Sequence, residues 1–141
     1  MPLSHDADIA ALLKRTRSIA VVGIKTGPDD DAFEVPAYMQ SHGYRILPVS
    51  PKHGRVLEEP CVDALPDLAE APDLVNLFRA SAHIPAHTDE ILALAPRPLG
   101  VWMQLGIRCE ASTQRLEAAG IEVVEDRCLM VEHHRLLGRP R

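Results

Sequence analysis

Short continuous apolar runs alternate along this chain with segments in which apolar residues recur every three or four positions. The first run, Ile19-Ala20-Val21-Val22-Gly23-Ile24, breaks off into the polar, flexible stretch Lys25-Thr26-Gly27-Pro28-Asp29-Asp30-Asp31. A buried parallel strand is a brief β-branched run of this kind, so the pattern predicts strand, loop, then helix. The same unit recurs where Tyr44-Arg45-Ile46-Leu47-Pro48-Val49 leads into Ser50-Pro51-Lys52, and where Asp73-Leu74-Val75-Asn76-Leu77 leads into Phe78-Arg79. Leu99-Gly100-Val101-Trp102-Met103 and Ile121-Glu122-Val123-Val124 predict a fourth and a fifth strand.

Helices are expected between them. Ile9, Leu12 and Leu13 set a leading helix over residues 6–17, with Ser4 or Asp6 as cap and Lys14, Arg15 and Arg17 at its dipole-favoured end. A second helix runs from about Ala32 to His42 and stops at Gly43, with Pro36 leaving its start open. Lys52 to Pro72 reads as a long decorated crossover, with Val56-Leu57 and Val62 as brief extended pieces and Leu65 to Ala69 as a turn of helix. Helices follow over His83 to Leu94, Ala111 to Ala119 with Gly120 as its stop, and Arg127 to Leu136.

Strands alternating with helices of about ten residues predict an α/β fold. The expected form is a Rossmann-like, doubly wound parallel sheet of about five strands with helices on both faces. Ligands in such sheets sit beyond the carboxyl ends of the strands, where strand order reverses. Five loops become candidates: Gly23 to Asp31, Ser50 to His53, Phe78 to Ala82, Met103 to Arg108, and Glu125 to Cys128.

Composition narrows the ligand. With 141 residues the chain fits one domain, 1–141, ending in a basic tail at 137–141. A net charge of −5 with interspersed signs, and an aromatic content of 4%, give no basic face for duplex DNA and no base-stacking platform. Nucleic acid is not expected as a partner. Apolar runs fall far short of the ~20 residues of a membrane span, and Met1 to Thr16 lacks the basic-then-apolar order of a signal peptide, so a soluble, cytoplasmic protein is expected. Cys61, Cys109 and Cys128 form no C-x-x-C pair and read as reduced thiols. His83 and His87 stand i, i+4, and His133-His134 adjoin Glu132, but no third ligand has matching spacing, so no metal site is expected.

At the loops, Gly23 lets backbone approach a ligand, yet G-I-K-T-G is not the dinucleotide fingerprint G-x-G-x-x-G. NAD binders place an acid after the second strand; here stand Ser50, Pro51 and Lys52, and a cation suits a ribose phosphate, which NADP and coenzyme A both carry. Phe78-Arg79 offers an apolar plane and a guanidinium for adenine and pyrophosphate, Gln104 and Gly106 can line a narrow tunnel by hydrogen bonding, and Asp126-Arg127 reads as a self-pairing ion couple.

With these stretches in view, above all Val101-Trp102-Met103-Gln104-Leu105-Gly106 and Val124-Glu125-Asp126-Arg127-Cys128, the chain over about Arg15 to Leu136 resembles the small, free-standing CoA-binding proteins of bacteria. Their domain is similar to the CoA-binding N-terminal domain of the succinyl-CoA synthetase α subunit. The resemblance implies coenzyme A or an acyl-CoA as ligand, in a non-catalytic or regulatory role, since the synthetase's phosphorylated histidine belongs to a further domain. It implies a site made of Val22, Gly23, Ile24 and Lys25 around the phosphates, Ser50, Pro51 and Lys52 at the 3′-phosphate end, Phe78 and Arg79 at nucleotide or pyrophosphate, and Met103, Gln104 and Gly106 along the pantetheine arm. The family's Ser and Arg of the first loop are here Lys25 and the Asp29-Asp30-Asp31 run, its Asn before Pro51 is Ser50, and its Tyr-Pro pair is Val62-Asp63. An aspartate ~10 Å from a phosphate charge costs about 0.4 kcal/mol in water-like dielectric, which weakens CoA binding without abolishing it. The aspartates are equally suited to capping the next helix. An NADP-dependent oxidoreductase using Lys25, Lys52 and Arg79, and a protein-interaction module or homodimer with a vestigial cleft, stay open as alternatives. So does a CoA mixed disulfide at Cys109 or Cys128.

Overall fold

The computed structural model describes residues 1–138. Its elements in chain order are α1 (Asp6–Arg15), β1 (Ser18–Val22), α2 (Asp31–Ser41), β2 (Arg45–Val49), a small hairpin of β3 (Arg55–Val56) and β4 (Glu59–Pro60), β5 (Leu74–Leu77), α3 (Ile84–Leu92), β6 (Gly100–Met103), α4 (Glu110–Ala118), β7 (Glu122–Val124) and α5 (Leu129–Leu136). Single 3-10 turns occupy Leu65–Asp67 and Ser81–His83. Of the basic tail expected at 137–141, residues 139–141 lie outside the described part.

The main sheet is parallel, in the order β2-β1-β5-β6-β7. Its direction of progression reverses at β1, with the crossover to β2 going one way and that to β5 the other. Every residue of β1 is buried, as a strand covered on both faces requires. Its side chains alternate between two cores. Ile19 and Val21 join Ile9, Leu12 and Leu13 of α1, Val35 and Met39 of α2 and Leu129 of α5, whereas Ala20 and Val22 join Ile84 and Ile91 of α3 and Leu116 of α4. The fold is therefore the doubly wound α/β sheet that the sequence pattern predicts.

Local chemistry explains the boundaries. Asp30 caps α2 by accepting a hydrogen bond from Ala32 N–H at 2.9 Å. Pro36 sits inside that helix without breaking it: the Ala32 carbonyl, which residue 36 has no N–H to meet, accepts instead from Lys25 N–H at 3.2 Å. The proline thereby ties the first loop to α2. α1 differs from expectation, since its N-cap is His5, whose side chain makes no capping bond; Asp6 is in the first turn and answers the helix dipole there. In the crossover the hairpin turns at Leu57 and Glu58, both with positive φ (53° and 64°), and Val62 bridges to Val49.

Candidate functional site

The cleft forms where strand order reverses. Gly23 N–H donates to Val49 O and Phe78 N–H donates to Val22 O, each at 2.9 Å, so β2, β1 and β5 remain laced one residue past the sheet. Gly23 has φ +83°, and a Cβ there would lie 2.5 Å from the Phe78 carbonyl oxygen. Only glycine meets both conditions. Its missing side chain is what lets three loops converge.

Those loops and the neighbouring crossover enclose about 460 Å³. Val22, Gly23, Ile24, Lys25, Ser50, Pro51, Lys52, Phe78 and Arg79 all line it, so nine of the site residues expected from the sequence are brought together. Ser50 is buried, its N–H donating to Val62 O at 2.8 Å and its Oγ accepting from Lys52 N–H at 3.2 Å, a side-chain turn that fixes the path of Pro51 and holds Lys52 at the rim. Lys25 Nζ stands 3.5 Å from Asp30, so the first loop's acid run partly neutralises its own lysine. Among the described residues, Lys52 and Arg79 pair with no carboxylate. Arg79 Nε is buried and has no hydrogen-bond partner among the described residues. A guanidinium with an unmet buried donor, in a cleft with two lysines, has the chemistry to receive an anion.

The other three expected residues are placed differently. Gln104 borders a second space of about 330 Å³, which shares Lys25, Phe78, Arg79 and Ala80 with the cleft as a common wall and adds Asp30, Asp31, Leu105 and Ile107. Its Oε1 accepts from Asn76 Nδ2 at 3.1 Å and from Leu129 N–H at 3.0 Å, joining β5 to the start of α5. Met103 is fully buried in the core, and Gly106, whose N–H donates to Asp126 Oδ1 at 2.6 Å, lines neither space.

The fifth loop also departs from expectation. Asp126 and Arg127 do not pair with each other: Arg108 bonds Asp126 at 2.6 Å and Arg127 bonds Glu132 at 2.6 Å. The positive φ of Asp126 (55°) turns its carboxylate back to Gly106, whose N–H, together with the Arg108 guanidinium, holds the Asp126 carboxyl below its usual pKa. Adjacent residues at a loop end diverge in direction, so proximity in sequence misled here. Cys109 Sγ contacts Ser112 Oγ at 3.2 Å, and neither it nor Cys128 lines the cleft. Cys61 contacts the Ser50 carbonyl at 3.4 Å, and burial pushes its thiol up.

The structure adds a wall that sequence reasoning missed. His83, His87 and Glu90 recur at i, i+4, i+7 along α3 and its leading 3-10 turn and line the cleft together with His53, Asp63, Ala64 and Leu65. His87 Nδ1 lies 2.9 Å from Glu90 Oε1. The sequence signal for this wall is the i, i+3 spacing of His87 and Glu90.

Fold and site together define a Rossmann-like protein with a cation-lined cleft at the switch point of its sheet. The family model for the CoA binding domain matches residues 17–134, and the chain belongs to that family. It is 35% identical over 127 residues to the uncharacterized protein YneT of Bacillus subtilis, covering 90% of this chain and 93% of that one. Among solved structures it is similar to cell-free ID.343 from Thermus thermophilus, at 42% identity and a TM-score of 0.89 over 95% of this chain and all of that one. A hypothetical protein from Pyrococcus horikoshii gives 31% identity and a TM-score of 0.90, covering 98% of this chain and 97% of that one.

Proposed function

We propose that residues 1–141 act as one CoA-binding domain, holding coenzyme A or an acyl-CoA at the carboxyl ends of β1, β2 and β5 in a binding or regulatory role rather than a catalytic one. The observation that carries the reading is Arg79, a guanidinium with no carboxylate partner among the described residues and a buried, unmet Nε–H beside Gly23. Coenzyme A has a diphosphate and a ribose 3′-phosphate; Arg79 with Lys25 suits the first, and Lys52 at the end of β2 suits the second. The second space beyond Phe78 and Arg79, walled by Leu105 and Ile107, suits the thin pantetheine arm and whatever acyl group it bears.

Calorimetry on ligand-stripped protein with CoA, acetyl-CoA, NADP and NAD tests this. CoA species alone bind, and Arg79→Ala weakens them at least tenfold, the effect of losing a charge-assisted hydrogen bond. Binding of NADP alone establishes the oxidoreductase reading instead. Silence from all four ligands leaves the cleft without a nucleotide role and turns attention to a protein partner.

A further inference from the structure

Charge is unevenly divided within the cleft. Its cations Lys25, Lys52 and Arg79 stand at the strand-end loops, whereas its carboxylates, Asp63 and Glu90, stand on the crossover and on α3. A phosphate is drawn to the first part and repelled by the second. The same cleft is lined by Val22, Val49 and Leu65, all at most 3% exposed, and by the imidazole of His87 beside Glu90. An apolar floor with a polar wall suits a flat heteroaromatic ring.

His87 is set to read the edge of that ring. An ionised carboxylate only accepts, so Glu90 Oε1 accepts the hydrogen bond that His87 Nδ1–H donates, and in that tautomer the lone pair is on Nε2. That Nε2 is buried and has no partner in the structure. The side chains of His87 and Glu90 are 18% and 28% exposed, so the pair sits in the wall and not on open surface. A buried acceptor without a donor is a deficit that a ligand N–H removes.

We infer that the His87–Glu90 pair is a purine-reading element, in which His87 Nε2 accepts a hydrogen bond from the exocyclic 6-amino group of an adenine ring laid on Val22, Val49 and Leu65. The inference rests on the CoA reading above and deepens it: it assigns His87 and Glu90, which the sequence left out of the site, as the residues that select a 6-amino purine. A 6-oxo purine presents an acceptor to an acceptor and is rejected.

The test compares adenosine 3′,5′-bisphosphate with inosine 3′,5′-bisphosphate by calorimetry, alongside CoA itself, on the wild type and on His87→Leu and Glu90→Gln. The wild type prefers the adenosine ligand tenfold or more. His87→Leu brings the ratio near one, mainly by weakening the adenosine ligand. Glu90→Gln, which releases the tautomer, gives an intermediate ratio, and thermal melting shows both variants folded. A wild-type ratio of one while CoA binds overturns the inference and leaves the CoA reading standing. Equal loss of both bisphosphates in His87→Leu overturns it as well, because it marks a contact to phosphate. If CoA and both bisphosphates fail to bind at millimolar concentration, the CoA reading falls and the inference with it.

Discussion

The α5 seam and the cleft hold similar charged side chains and leave them in opposite states. In the seam, Arg127 bonds Glu132 at 2.6 Å, and Arg135 reaches both Glu132 and Asp6 of α1, taking the two oxygens of Asp6 at 2.8 and 2.9 Å. The Arg135 guanidinium, with Arg127, holds the Glu132 carboxyl below its usual pKa against the opposing effect of burial. The neighbouring His133 has its Nδ1 2.9 Å from the Tyr38 hydroxyl. In the cleft, Arg79 Nε and His87 Nε2 are buried with nothing to meet them. Unmet polar groups beside unpaired cations are the contrast that supports the proposed ligand in the cleft. Unmet valence alone does not mark a binding surface, since Asn76 Oδ1 in the core is also unmet; in the cleft it coincides with cations, Lys52 and Arg79, that pair with no carboxylate among the described residues.

The change with the largest expected effect erases this division. Gly23→Ala places a Cβ against the Phe78 carbonyl in a left-handed backbone, where an L-residue costs ~1–2 kcal/mol before the clash is counted. The melting temperature is expected to fall by roughly 5–10 °C, and CoA binding to disappear, because the loops that carry Lys25 and Arg79 must move apart. A variant that melts and binds like the wild type would show that the close approach at Gly23 is not what assembles the cleft.

Next in size, a matched pair of variants sets the two regions against each other. Glu132→Ala leaves two guanidiniums facing one another; since both arginines are about a third or more exposed, the loss is about 2 kcal/mol rather than that of a fully buried pair. Its CoA affinity should stay within about twofold of wild type. Arg79→Ala should do the reverse, weakening CoA tenfold or more with a melting temperature equal to or above wild type, since it deletes an unmet buried donor. Equal stability losses in both variants would erase the distinction.

The fold was legible because the strands of the main sheet are largely buried runs and two of the helices carry clear stops: Gly43 and Gly120 sit at φ +94° and +83°, just past α2 and α4. The hairpin at 55–60 was seen only as an extended piece around Val56-Leu57, because its turn is Leu57-Glu58 and not the Asn-Gly or Asp-Gly that marks such turns. For the site, strand ends are local in sequence, so Gly23, Ser50, Lys52 and Arg79 were readable from their runs. The wall of His83, His87 and Glu90 was not, because it becomes a wall only when α3 packs beside Asp63 and Leu65 of the crossover. Of the residues expected along the pantetheine arm, Met103 is buried because both faces of β6 are covered, and Gln104, whose amide oxygen is taken by Asn76 and Leu129, borders the second space.

A smaller effect separates the regions by pH. Burial first, then His42 and His134, holds His133 below the ordinary histidine pKa. The unfolded chain therefore takes up this proton at higher pH than the folded one, and stability that is complete above the ordinary value of about 6.5 is lost as pH falls through it toward the folded-state value. Glu132 acts in the same sense lower down, its contribution present above the ordinary carboxylate range and lost as pH drops through its depressed folded-state pKa. Melting temperature should decline from pH 7.5 to 5.5, and His133→Gln should flatten that decline. An unchanged slope in the variant would locate the acid sensitivity outside the seam.

The smallest predicted effect concerns the one cleft cation that the protein partly neutralises itself. Lys25 shares Asp30 with the α2 cap, and Asn caps a helix about as well as Asp. Asp30→Asn therefore keeps the Ala32 N–H bond while releasing Lys25 and removing a negative charge from the rim. At ~10 Å and water-like dielectric one such charge is worth about 0.4 kcal/mol per phosphate charge, a factor of two in affinity, and less as salt is raised. CoA should bind about twofold more tightly at low ionic strength, with the gain vanishing in high salt and the melting temperature unchanged. If affinity falls instead, Asp30 is part of the receptor and not a brake on it, and the acid first loop would have to contact a donor on the ligand, which places a neutral or amine-bearing group where the diphosphate is assigned.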